Sequence, residues 1–177
     1  MKLLELKIRR FKEPITGILL KQGTHWYLAK QNVVDYMLDG FIYINRHFVV
    51  YENEIHRDTT LYKILSLKNE AKKDLYIYND SILNGYDSFF SFLKTNQILV
   101  AVCLHNEDVI YVGKIMDVGS MAFILSSYDT DLNERGTMKI PFYKVRYIQM
   151  HTDYLDSLNL LLENRNNRDG SVASSVK

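Results

Sequence analysis

Short apolar runs, rich in β-branched and aromatic residues, recur along this chain and are cut at close intervals by turn signals. Runs of this kind are too short for buried helices and fit the strands of a small antiparallel barrel or sandwich. Residues 15–21 read as a strand ended by Gln22-Gly23, and residues 26–30 as its partner across that turn. Residues 33–38 lead into Asp39-Gly40, a turn signal, followed by residues 41–50 with a break at Asn45-Arg46-His47. The pattern returns at 98–104, 109–116, 121–126, 137–141 and 144–150, with a polar turn at Asn106-Glu107-Asp108 and a polar loop over 128–136. Residues 1–12 fit either a strand or a short helix.

Three stretches follow helical spacing instead. Leu61, Ile64 and Leu65 mark a helix over 59–67. Phe89, Phe90 and Leu93 mark another over 86–93, with Asp87-Ser88 placed to cap it. Leu155, Leu158, Leu161 and Leu162 mark a third over 154–162. Residues 68–74 are a charged connector and 75–78 read as a strand. From Glu163 the chain turns polar and small, the composition of a disordered tail.

An internal echo organises these elements. At an offset of 96 residues, Gly40 meets Gly136, Ile44 meets Ile140, Val49 meets Val145 and Tyr51 meets Tyr147. Both stretches run from a glycine through a strand, a polar or aromatic break and a second strand towards an apolar helix. The expected architecture is therefore mainly β with short helices: two small antiparallel barrels joined by a helical connector. The boundaries are 1–67 for the first barrel, 68–97 for the connector, 98–162 for the second barrel and 163–177 for the tail.

The second half resembles a group of uncharacterised bacterial proteins. The likeness rests on Tyr111-Val112-Gly113-Lys114-Ile115, Ser127-Tyr128-Asp129, Gly136, Ile140-Pro141-Phe142, Val145, Ile148 and Tyr154. Trp26, Asp39-Gly40-Phe41, Ile44-Asn45-Arg46 and Phe48 carry the matching signal in the first half. It covers residues 15–65 and 98–158 and implies tandem small barrels similar to Sm-like or SH3-like barrels. It brings no catalytic residue with it. In the Sm arrangement a helix precedes each barrel, which would place helices at 2–11 and 86–95.

Charge narrows the functional classes. The 22 Lys+Arg nearly balance the 21 Asp+Glu, which counts against a surface devoted wholly to nucleic acid and against an acidic disordered chain. The balance is uneven along the chain. Residues 1–75 carry 13 basic and 9 acidic side chains, a net of +4, and residues 76–177 carry 9 and 12, a net of −3. Such opposite fields suit head-to-tail self-association. The basic excess gathers at Lys7, Arg9, Arg10 and Lys12 around Phe11, with a second basic-aromatic group at Arg46-His47-Phe48. Cations hold phosphates and aromatic faces stack bases, so Arg9, Arg10, Lys12, Arg46 and His47 are the candidate RNA contacts.

Catalytic signatures are missing. Cys103 is the lone cysteine and sits in an apolar run, the setting of a small buried hydrophobe. No His-Glu-x-x-His, glycine-rich phosphate loop or G-x-S-x-G elbow occurs. Asp129-x-Asp131-x-Asn133 opens like a calcium loop, but the next position is Glu134 instead of glycine and the twelfth is Ile140 instead of a carboxylate. The expectation is a non-enzymatic protein with no cofactor or metal. The N-terminus lacks the apolar stretch of a secretory signal, and no uninterrupted apolar run approaches the ~18 residues of a membrane span, so a cytoplasmic location is expected. The leading function is an interaction module that binds itself or another protein through barrel edges and aromatic patches. The alternative is RNA binding by the basic first half.

Overall fold

The structure, a computed structural model, describes residues 1–68 and 80–173. Ten antiparallel strands make one sheet: β1 (Lys2–Ile8), β2 (Ile15–Gln22), β3 (Trp26–Val34), β4 (Met37–Asn45), β5 (Val49–Glu54), β6 (Leu99–Cys103), β7 (Ile110–Val118), β8 (Ala122–Tyr128), β9 (Glu134–Pro141) and β10 (Tyr147–Met150). Their spatial order is β5-β1-β2-β3-β4-β10-β6-β7-β8-β9. Three α-helices accompany them: α1 (Thr60–Lys68), α2 (Tyr86–Thr95) and α3 (Asp153–Ala173). The mainly β expectation holds. Among the described residues the sheet is not closed, and the halves are not held only by a helical connector. Strand β4 pairs directly with β10, so backbone hydrogen bonds run across the boundary between them.

The offset of 96 extends from sequence into structure. Adding 96 to β2 gives 111–118, against β7 at Ile110–Val118; adding it to β3 gives 122–130, against β8 at Ala122–Tyr128. The short 3-10 turn Arg46–Phe48 maps onto Phe142–Lys144, each entered and left through extended residues of nearly the same backbone angles. Core positions follow. Alternation in β1 buries Leu4, Leu6 and Ile8, and the equivalents Val100, Val102 and Leu104 are buried as well. In each half the helix after the fifth strand packs on the first strand: Leu65 lies against Leu3, and Leu155 against Leu99.

Two glycines let neighbouring strands approach closely. A Cβ on Gly17 would lie 2.7 Å from the Lys30 carbonyl oxygen, and one on Gly113 would collide with that of Ser126. Both glycines, and both carbonyls, are 96 residues apart. Each half thus brings its second and third strands closer than any side chain permits. Gly113→Ala is expected to cost about 3 kcal/mol, because backbone and not a flexible side chain must give way. Urea unfolding measures this, and a variant with the wild-type midpoint would contradict the close approach.

Several local expectations are corrected. Residues 2–11 do not form a helix: the alternation of Leu4, Leu6 and Ile8 commits them to β1. Asp39-Gly40 lies inside β4, where Gly40 takes φ +61°; the turn falls at Asp35-Tyr36, whose carbonyl at Asp35 accepts from Asn32 Nδ2 at 2.9 Å. Helix α2 is capped by the backbone of Gly85, and neither Asp87 nor Ser88 caps it; Ser88 Oγ donates to the Ser81 and Gly85 carbonyls. Helix α3 passes residue 162 and continues to Ala173, helped by Arg165, which donates to the carbonyls of Asp131 and Leu132. The strand expected at 75–78 lies outside the described residues.

The largest apolar cluster joins the halves. Helix α2 sets Phe89, Phe90 and Leu93 among Trp26 and Tyr43 of the first half and Phe123 and Phe142 of the second. Phe90 stacks on Phe123 with ring centres 4.1 Å apart and on Phe142 at 5.1 Å.

Candidate functional site

Two places on the molecule have the makings of a site. The first is the pair of sheet edges. Strand β5 has β1 as its one neighbour and β9 has β8, among the described residues. An edge strand presents unpaired backbone donors and acceptors and invites another strand. Charges or proline usually blunt such edges. Strand β9 carries such residues in Glu134, Arg135, Lys139 and Pro141, and β5 in Glu52 and Glu54, but β5 also exposes Val50 (61%) and Tyr51 (47%), two large apolar groups in succession on an open edge.

The second place is the end of the first half, where the β2–β3 turn, the start of β1–β2 and the 3-10 turn Arg46–Phe48 converge. Asn45 anchors it. Its fully buried side chain donates from Nδ2 to the Val145 carbonyl at 2.8 Å, and its Oδ1 accepts from the His47 backbone at 3.1 Å and from the Tyr86 hydroxyl at 3.1 Å. Arg46 folds back: its guanidinium donates to the Gly23 carbonyl and lies 5.0 Å above the Tyr27 ring. Tyr27 in turn donates to Glu52 at 2.7 Å, and this bond, followed by that from Lys2, holds the Glu52 carboxyl below its ordinary range. Between these groups lies an open polar cleft of about 940 Å³, bordered by His25, Arg46, His47 and Tyr86. The His25 ring meets Tyr86 edge-on at 4.5 Å, and its Nδ1 is buried with no hydrogen-bond partner.

The five candidate RNA contacts lie on two segments, 9–12 and 46–48, joined by one backbone bond. Arg46 and His47 border the cleft, and the Arg9 backbone donates to the Phe48 carbonyl at 2.9 Å, which sets the β1–β2 turn beside the 3-10 turn. Arg10 takes φ +75° in that turn. Lys12 sits against an acid: its backbone donates to Glu107 Oε1 at 2.8 Å, and its carbonyl accepts from Lys7. The aromatics of the two groups are not available for stacking bases. Phe11 (6% exposed) packs edge-on against Tyr147, and Phe48 (8%) is covered by Arg146.

Arg146 was not singled out by sequence, where it reads as an ordinary polar residue between Val145 and Tyr147. The structure buries it to 5% exposure with its guanidinium 4.3 Å over the Phe48 ring. Its Nε and one terminal nitrogen are buried and have no hydrogen-bond partner. Burial lowers its pKa, and the neighbouring charges of Arg10 and Arg9 add to that.

Cys103 is buried, donates to the Asn106 carbonyl at 3.1 Å, and has its thiol pushed up to about 11, mainly by burial. It is a neutral core group at ordinary pH, not a nucleophile. The Asp129 carboxylate closes its own loop by accepting from the backbones of Asp131 and Asn133, both at 2.9 Å. No group of three or more His, Cys, Asp or Glu side chains is placed to hold a metal among the described residues. No helix among the described residues is long and apolar enough to cross a membrane.

Comparison of the chain with protein families, with curated proteins and with solved structures returns no match.

Proposed function

We propose that the protein is a non-catalytic module that assembles with itself, each half being a small Sm-like barrel that docks edge to edge on the next. The β4–β10 junction carries this reading. It is a docking of the first half's fourth strand on the second half's fifth. At the offset of 96, β9 stands where β4 stands and β5 stands where β10 stands. The two open edges are therefore the two faces of the same junction, divided between the ends of one molecule. A second copy placed head to tail satisfies both, giving a closed ring or an open filament according to the rotation.

The internal register dictates the external one. Within the chain Tyr147 faces Ile44, Ile148 faces Tyr43, Gln149 faces Ile42 and Met150 faces Phe41. Shifted by 96, Tyr51 faces Ile140 of the next copy, Glu52 faces Lys139, Asn53 faces Met138 and Glu54 faces Thr137. Glu52 and Lys139 become an opposite-charge pair across the seam. Tyr51 would be covered as Tyr147 is, at 5% exposure.

Cysteine cross-linking tests the register. A chain carrying both Asn53→Cys and Met138→Cys is expected to give a ladder of covalent multimers on mild oxidation, because directly opposed residues bring their Cβ atoms within disulfide reach. The pairing Asn53→Cys with Lys139→Cys, one residue out of register and on opposite faces, is expected to cross-link far more slowly. Equal rates for the two pairs, or no multimers from either, would sink the proposal.

A further inference from the structure

We propose that Arg146, with Arg9 and Arg10, forms a binding site for a phosphate group, independent of the two sheet edges. A buried guanidinium is tolerated when carboxylates or carbonyls take up its hydrogens. Arg146 has neither on two of its nitrogens, and the ring of Phe48 below it answers the charge only from one face. The charges that bear on it are of its own sign, Arg10 and Arg9. Of the groups that bear on it, Cys103 alone could become an anion, and its thiol stays protonated; Glu107, the carboxylate that acts on Cys103, accepts instead from the Lys12 backbone. The fold thus sets the turn that carries Arg9 and Arg10 beside a buried guanidinium with two unpartnered nitrogens among the described residues. A fold that keeps this arrangement has its counter-charge arrive from outside.

Phosphate matches this group of arginines in charge. Arginine forks offer paired N–H donors matched to neighbouring oxygens of one phosphate, and several forks can share its remaining oxygens. Arg9 and Arg10 are exposed on the β1–β2 turn, and Arg146 is buried. The Arg9 backbone bond to Phe48, the ring on which Arg146 rests, holds the turn beside it. With Phe11 and Phe48 turned inward, binding here is by backbone phosphate and not by stacked bases. A phosphodiester of a single-stranded RNA and a free phosphate or nucleotide share this chemistry.

Thermal unfolding and fluorescence anisotropy separate the sources. The full chain is melted with and without millimolar inorganic phosphate, and titrated into a labelled short single-stranded RNA of mixed sequence at low and physiological salt. Phosphate, RNA or both are expected to raise the wild-type melting temperature. Arg146→Met keeps an unbranched stem over Phe48 and removes the unpartnered charge. It is expected to melt above wild type without ligand and to lose the ligand-dependent rise. Arg9→Gln with Arg10→Gln, both on the surface, is expected to weaken binding about tenfold or more and to flatten the salt dependence. RNA binding that millimolar phosphate fails to displace identifies a strand as the ligand; a rise with phosphate alone identifies a small phosphate compound. No rise with either, or wild-type response from Arg146→Met, overturns the site. Should Arg146→Met fail to fold, the arginine pair decides: unchanged binding in Arg9→Gln with Arg10→Gln overturns it equally.

Discussion

A chain carrying Val50→Asp and Tyr51→Asp is expected to sediment as a 20.8 kDa monomer at concentrations where the wild type sediments as a multiple of that mass. Both side chains are exposed on β5, so the folded chain loses little by the change. At the seam the change is large. It removes the apolar surface that an incoming β9 covers and places two carboxylates beside Glu52 and Glu54. Losing the burial of these two groups costs about 3 kcal/mol, roughly a hundredfold in dissociation constant before repulsion is counted. Sedimentation velocity over a concentration series reads the shift, and urea unfolding confirms that the fold is intact. A wild type that stays monomeric at high concentration, or a variant that assembles as the wild type does, defeats the edge-to-edge reading.

Phe90→Ala is expected to have the largest effect on stability of any single truncation in the core. Phe90 is fully buried, stacks on Phe123 and Phe142, and meets Phe89 and Trp26 edge-on at 5.4 and 6.2 Å. Removing the ring leaves a cavity between flat, rigid neighbours that cannot collapse into it, so the cost falls at the upper end of the range for such changes, about 4–5 kcal/mol. That is a large share of the roughly 5–15 kcal/mol that holds a domain together. Because Phe90 ties the first half to the second, its loss is also expected to break the single unfolding transition into two. Urea unfolding followed by far-ultraviolet circular dichroism and by Trp26 fluorescence checks both effects; Trp26 belongs to the first half and touches the same cluster. A single transition shifted by less than about 1 kcal/mol would show that the aromatic cluster is not the tie between halves.

The strands were readable because each is a short apolar run with a marked end, as residues 15–21 are by Gln22-Gly23. Helix α2 was readable because Phe89, Phe90 and Leu93 leave no doubt of period. What failed to show was of two kinds. Local signals misled where tertiary fit overrode them: Asp39-Gly40 has the composition of a turn, yet the strand runs through it with Gly40 absorbing the bend. The polar residues after 162 look tail-like, yet α3 continues there, with Arg165 bound to the Asp131–Leu132 loop. Other features had no local signal at all. Nothing in β4 or β10 announces that they pair, since each could have been an outer strand of its own half. Gly17 and Gly113 look like weak points in strands until their facing carbonyls are known. Arg146 belongs to the same class. One arginine just before a strand is unremarkable by sequence; only the fold lays it over the Phe48 ring, beside the turn of Arg9 and Arg10.

The β4–β10 junction has a consequence for how such an assembly responds to dilution. In the proposed assembly, one seam in every two is made inside a chain, and its effective concentration is fixed by the chain itself. Only the β9–β5 seams obey mass action. Falling concentration therefore releases halves in covalent pairs and never singly, and every complete assembly contains an even number of them. The odd-numbered members that independent single barrels could form are excluded, and subunit exchange proceeds two positions at a time.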